Sequence, residues 1–207
     1  MIPYFSGTVL DNYRPFRPYW ILWVLLACMG VHGALEITGL RAWLWFVDLP
    51  MTVLALYLSA VWGLVRSFKI GLLAVLHLGF LWLGIAALLY TLQSVNLFIT
   101  GVASLGLAPL HALTLGYFGT VVLGMVTRVT LGHSGRALVA DPLTWRLFLG
   151  FQAVVVLRII ADCRTGWPSV LWHPYLLAGG LWLICFGIWF AHYGPIYWRP
   201  RVDGNPG

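Results

Sequence analysis

Charge is scarce in this chain. Of its 207 residues only 9% are Asp, Glu, Lys or Arg, while 61% are hydrophobic. An ordinary soluble domain carries about 25% charged residues, so the composition excludes one here. The acids are Asp11, Glu36, Asp48, Asp141, Asp162 and Asp203, and no unbroken acidic path for protons is visible among them. Cysteine is equally sparse. Cys28, Cys163 and Cys185 form neither CxxC nor CxxCH, which excludes a zinc ribbon and c-type haem attachment. Cys28 and Cys185 lie inside apolar runs, where free cysteine usually packs. Short repeats and low-complexity tracts are absent. No cleavable leader is expected either, because the apolar run after Arg14-Pro15-Phe16-Arg17-Pro18 is too long for a signal h-region. The net charge is +6. Its basic residues fall singly between apolar runs, which argues against nucleic acid and for membrane topology.

What is abundant is apolar and aromatic. Twelve Trp, nine Tyr and eleven Phe suit helices anchored at two membrane interfaces. A span needs about 20 predominantly apolar residues. Six stretches qualify: 19–37, 43–65, 70–92, 105–127, 143–161 and 170–193. The expected fold is therefore all-α, a single membrane domain over 1–207 forming a six-helix bundle in the lipid bilayer. The fifth stretch is the weakest, since Arg146 and Arg158 interrupt it, although both can snorkel to the interfaces. In this arrangement Arg14, Arg17, Arg66, Lys69, Arg128, Arg136, Arg146, Arg199 and Arg201 share one side. Only Arg41, Arg158 and Arg164 lie on the other, so both termini are expected in the cytoplasm.

Ionisable residues inside spans are costly and need a reason. By this topology His32, His111 and His173 belong to the outer half of the membrane, and His77, His133 and His192 to the inner half or its rim. Cys28, His32 and Glu36 stand four residues apart and form one helical stripe. A Cys/His/carboxylate set of this kind can ligate a metal and suits copper. The alternative is a packed cysteine, a histidine bonded to a neighbouring helix and a glutamate at the interface. In the fourth stretch Ala112, Gly116, Thr120 and Gly124 make a small-residue stripe that admits another helix or a flat cofactor. His111, Thr114, Phe118 and Met125 fall on the neighbouring face, where His111 can serve as an axial haem ligand or as a hydrogen-bonded packing residue. Arg128, His133 and Arg136 follow, around Gly132-His133-Ser134-Gly135, either as an anion or partner site or as a positive-inside loop. His77 with Gly84 and Thr91, and His192 with Cys185, share helix faces that read as core packing.

The run from His111 to Leu138 resembles the signature of the NnrS family. The matching residues are His111-Ala112-Leu113-Thr114, Gly116, Gly119, Leu123-Gly124-Met125, Thr127-Arg128-Val129 and Leu131-Gly132-His133-Ser134-Gly135-Arg136. Ser134 stands where the family often has Thr. The ending Arg199-Pro200-Arg201-Val202-Asp203-Gly204 is also similar to the family's C-terminal ending.

This resemblance implies a multi-spanning protein of the bacterial inner membrane, associated with haem and copper and acting in the response to nitric oxide or in nitrosative-stress tolerance. Typical members are about twice this length, with about twelve spans. The chain resembles their C-terminal half and lacks the family's His-x-His-Glu-Met motif. A homodimer, or another membrane partner, would complete a twelve-helix assembly. His111 is the first candidate for a haem axial ligand and His32 the second. Arg158 and Arg164 are candidates for pairing with the haem propionates. Nitric oxide is then a candidate ligand of the haem iron, and the sequence leaves open whether the protein is an enzyme. Two other classes compete: a copper-handling or assembly protein without haem, using Cys28, His32 and Glu36, and a structural membrane subunit.

Overall fold

The computed structural model describes residues 2–10, 12–163 and 174–204. Arg164 and His173, and the start of the expected sixth span, lie outside these residues. Seven helices carry the described chain: α1 Ile2–Val9, α2 Tyr19–Ile37, α3 Trp45–Val61, α4 Gly71–Thr100, α5 Ala108–His133, α6 Pro142–Cys163 and α7 Pro174–Tyr193. Short turns at Arg41–Trp43, Leu64–Ser67 and Gly194–Trp198 add to them, and no strand occurs among the described residues.

Helices α2, α4, α5, α6 and α7 are long and apolar enough to cross a membrane, and α3, with 17 residues, is a shorter apolar helix. The composition requires this arrangement. In lipid each backbone N–H and C=O must find its partner within the chain, and helices satisfy that locally.

Helix ends follow local chemistry more than hydropathy. The apolar run that opens α4 was expected to end at Leu92, but the helix continues through Gln93, Ser94 and Asn96 to Thr100. It stops where Gly101 adopts φ +73°, the left-handed conformation that glycine supplies at helix ends. At 30 residues α4 is about 45 Å long. Helix α3 stops before Gly63, at φ +88°. Helix α6 starts at Pro142, whose missing N–H is no loss at a first helical position. Asp141 caps it by accepting the Thr144 N–H at 2.7 Å. Residues 112–119 of α5 form a π-helical stretch, the wider helix that often marks a functional segment.

Neighbouring helices run antiparallel, as the contacts between early and late residues of successive helices require: His32 with Asp48, Trp45 with Ser94, His111 with Asp162, and Thr144 with Tyr193. Each long helix packs chiefly on the one before and the one after it. Helix α4 is central, with 61% of its span buried, against 6% for α2 and 11% for α7 at the flanks. Phe148, Phe151, Val154 and Val155 of α6 and Leu72, Val75 and Leu76 of α4 form the core with their neighbours.

The α4–α5 seam explains the small residues of α5. A Cβ on Gly116 would stand 2.8 Å from the Trp82 ring, and one on Gly124 would stand 2.6 Å from Val75 Cγ1. From the other side, a Cβ on Gly79 would stand 2.6 Å from Val121 Cγ2. Of the two occupants the stripe allows, helix α4 takes the place along Gly116 and Gly124.

Helix α1 was not foreseen. Ile2, Pro3 and Ser6 are buried against the bundle near the start of α4, where Ser6 Oγ lies 3.0 Å from His77 Nε2. His77 is therefore a bonded core histidine.

Candidate functional site

Two histidine–aspartate pairs stand at the end of the bundle that the topology assigns to the outer face. In the first, His32 Nδ1 on α2 lies 2.8 Å from Asp48 Oδ1 on α3. A carboxylate can only accept, so Nδ1–H donates and Nε2 keeps its lone pair. Asp48 is fully buried, and its Oδ2 has no hydrogen-bond partner. The Tyr90 ring meets the His32 ring edge to face at 4.8 Å.

In the second, His111 at the head of α5 lies between two acceptors. Its Nδ1 is 3.0 Å from the Leu107 carbonyl oxygen and 2.7 Å from Asp162 Oδ2 on α6. The N–H is aligned on the carbonyl, so Asp162 Oδ2 stands in close contact with Nδ1 but lacks an aligned donor. Asp162 Oδ1 accepts from Arg158 Nη1 at 2.9 Å, and the Arg158 guanidinium lies 4.5 Å from the Tyr175 ring centroid. The Tyr175 hydroxyl donates to the Ala161 carbonyl at 3.1 Å. Leu115, Val154, Arg158, Tyr175, Ala178 and Trp182 line a groove of about 390 Å³ between α5, α6 and α7.

These geometries sort the expected site residues. His32 and His111 occupy separate settings, one between α2 and α3 and the other against α6. Glu36 is bound to Arg41, with Nε donating at 2.8 Å. Cys28 is half-buried. Among the described residues no three His, Cys, Asp or Glu side chains form a group able to hold a metal ion. Thr114 donates to the Leu110 carbonyl at 2.8 Å, an ordinary bond within its own helix. Asp48 and Asp162 did not enter the sequence reading as histidine partners. Their signal was available, since an acid at or inside an apolar run must find a cation or a donor.

The opposite end of the bundle holds the rest of the motif. Arg128 lies 4.1 Å from the Phe5 ring centroid, and Met125, Arg128, His133 and Arg201 line an open pocket. Gly135, at φ +73°, carries the Asp203 carboxylate so closely that a Cβ would stand 2.7 Å from Asp203 Cγ. Val202 N–H donates to the Ser134 carbonyl at 3.1 Å. The Gly-His-Ser-Gly turn and the Arg-Val-Asp ending, read separately in the sequence, therefore dock on each other. Nearby, His192 Nε2 lies 3.1 Å from Asp141 Oδ2. Partial burial pushes the Asp141 carboxyl up, but the Thr144 N–H and hydroxyl, together with His192, outweigh it and hold it below its ordinary value.

The haem that the sequence resemblance implies can be tested against these residues. A metal-bound histidine almost always donates its second ring N–H to a carboxylate or carbonyl. Both histidines have Nδ1 engaged in that way, and the groove beside Arg158, whose lining does not include His111, is apolar apart from Arg158 and Tyr175. The donor chemistry fits an axial ligand. In the Cys28, His32 and Glu36 stripe, His32 is paired with Asp48 and Glu36 with Arg41.

No curated protein and no solved structure matches the chain. Residues 1–201 match the family model described as NnrS protein, and the chain belongs to the NnrS family.

Proposed function

We propose that this protein binds haem at the outer end of its bundle and acts in the response to nitric oxide or in tolerance of nitrosative stress. The observation that carries the reading is His111, whose Nδ1 is engaged by Leu107 and Asp162 and whose Nε2 keeps a lone pair for iron. When bound, haem would supply an iron able to take nitric oxide. The chain's own contribution is to hold His111 in one orientation and to place Arg158, already oriented by Asp162 and Tyr175, where a propionate can reach it. Arg164 joins Arg158 in this proposal as a second propionate partner.

In this reading α3 is the sixth span. Its 17 residues reach about 26 Å, close to the thickness of the hydrocarbon core. With six spans, the nine-to-three distribution of basic residues supports cytoplasmic termini in a bacterium, with the protein in the inner membrane. The thinly buried flanks α2 and α7 offer faces to a second copy or to another membrane chain.

The test is an optical spectrum of the detergent-purified protein, oxidised and reduced, with metal analysis on the same sample. A Soret band that shifts on reduction and on addition of nitric oxide, and is lost or altered in His111→Ala, is the expected result. A spectrum unchanged in His111→Ala would remove His111 as a ligand. No Soret band after expression with ample haem would end the haem reading for the chain alone.

A further inference from the structure

The end of the bundle opposite His111 holds a pocket of about 410 Å³ whose walls come from four distant parts of the chain. Phe5 belongs to α1, Arg128 and His133 to α5, Leu138 to the following turn and Arg201 to the tail. These parts are fastened to one another. Val202 N–H donates to the Ser134 carbonyl at 3.1 Å, the Thr130 and Tyr197 hydroxyls lie 2.6 Å apart, and the Arg128 guanidinium rests 4.1 Å from the Phe5 ring centroid. A loop that only sets topology needs cations but no such enclosure.

The charges in this pocket do not cancel. Arg201 is matched by Asp203, whose two oxygens accept from its Nε and Nη2. Among the described residues no carboxylate pairs with Arg128 or His133. Arg128 is half-buried, so its charge is not simply dissolved in water. The remaining walls are apolar, and Val129 and Leu138 among them are exposed. Arg128 lies in the last two turns of α5, about 8 Å from the helix end. That is the depth at which a span passes from acyl chains to headgroups. The fitting ligand has a negative charge joined to an apolar body.

We infer that this pocket holds the headgroup of an anionic phospholipid of the surrounding membrane. Its phosphodiester sits on the Arg128 guanidinium and a His133 ring N–H, and the first methylenes of an acyl chain run along Val129 and Leu138. A guanidinium presents parallel N–H donors to two phosphate oxygens, and one face resting on Phe5 leaves its edge free to do so. The single negative charge of a phosphodiester balances the single charge of Arg128. Basic pockets beside membrane helices are known to take such headgroups. A free phosphate would share the charge but leave the apolar walls wet. The lipid would tie α1, α5 and the tail together, so its binding is expected to stabilise the fold. Nothing at His111 takes part, and the inference stands or falls apart from the haem reading.

The test uses the full chain in detergent, stripped of endogenous lipid. It is titrated with phosphatidylglycerol, with zwitterionic phosphatidylcholine of the same acyl chains, and with inorganic phosphate. Native mass spectrometry counts bound lipid, and thermal melts read the stabilisation. The variants are Arg128→Gln, Leu138→Glu and Arg146→Gln. Arg146 is an exposed cation near the start of α6 that does not line the pocket. Leu138 is exposed, so Leu138→Glu sets a negative charge in the wall without disturbing the core. Lipid-free melts that match wild type verify the fold of each variant. The expected result is one phosphatidylglycerol per chain, bound about 10-fold more tightly than phosphatidylcholine, with phosphate leaving the melt unchanged. Arg128→Gln and Leu138→Glu are expected to lose this preference and Arg146→Gln to keep it. Equal affinity for the two lipids in wild type, or full preference in the folded pocket variants, would overturn the site. Phosphate as effective as phosphatidylglycerol would overturn the lipid assignment in favour of a free anion.

Discussion

Asp162 Oδ2 stands 2.7 Å from His111 Nδ1, joining the end of α6 to the head of α5. The other oxygen of the same carboxylate holds Arg158. One acid thereby stands against the histidine proposed for iron and accepts from the arginine proposed for a propionate. Asp162→Asn keeps the shape and removes the charge. Haem affinity is expected to fall about 10- to 100-fold, with the Soret position of the bound fraction unchanged because Nε2 remains the ligand. Titration of the haem-free protein measures this, and equal affinity in the variant would exclude a positioning role.

The His32–Asp48 pair makes a stability prediction independent of any metal. Asp48 is fully buried. His32→Leu leaves its carboxylate without a partner and is expected to cost about 3–5 kcal/mol, as does breaking other buried pairs from one side. His32→Leu with Asp48→Leu removes both polar groups and is expected to recover most of that loss. Thermal unfolding of the metal-free protein in detergent checks the cycle, and additive losses would contradict it.

Gly116 and Gly179 are predicted to differ sharply. Gly116→Val places its branches into the Trp82 ring, and overpacking of this kind costs about 1–3 kcal/mol. A Cβ on Gly179 meets nothing within 4 Å. Gly179→Ala is therefore expected to be neutral, or stabilising by up to about 1 kcal/mol through the lost flexibility of glycine. Melting temperatures of the two variants decide the comparison.

Asp141 sets a limit at low pH. Its folded carboxyl titrates below the ordinary value, so its contribution is fully present above the unfolded pKa and is lost as the pH falls through the folded one. That window lies below about pH 4. Asp141→Ala removes the cap of α6 and is expected to cost about 1 kcal/mol at neutral pH, a difference that shrinks on acidification. The half-exposed His192 contact adds little to this figure. Unfolding curves of both proteins across pH 3–7 test it.

Much of the fold was legible because lipid allows so few solutions. Apolar runs of spanning length must become helices, and five of the expected stretches hold helices long enough to cross a membrane, while the second holds the shorter α3. The length of α4 was not legible from hydropathy, because Gln93, Ser94 and Asn96 keep their backbone bonds within the helix and only Gly101 ends it. Helix α1 escaped notice because eight residues are too few to register as a span. The candidate histidines were visible as ionisable groups in apolar runs, but their partners were not. His32 finds Asp48 sixteen residues away and His111 finds Asp162 on the next helix, pairings that only the packing of helix on helix could fix.

The sequence by itself determined a helical protein of membrane-spanning character and its family, since both rest on composition and on a continuous motif. Only the tertiary structure decided which polar groups meet. It assigned Glu36 to Arg41, gave Gly116 and Gly124 to the approach of α4, and paired His32 with Asp48. The physical reason is that a side chain's chemistry is local while its partner is chosen by register, and the register between helices is set by packing over their whole length.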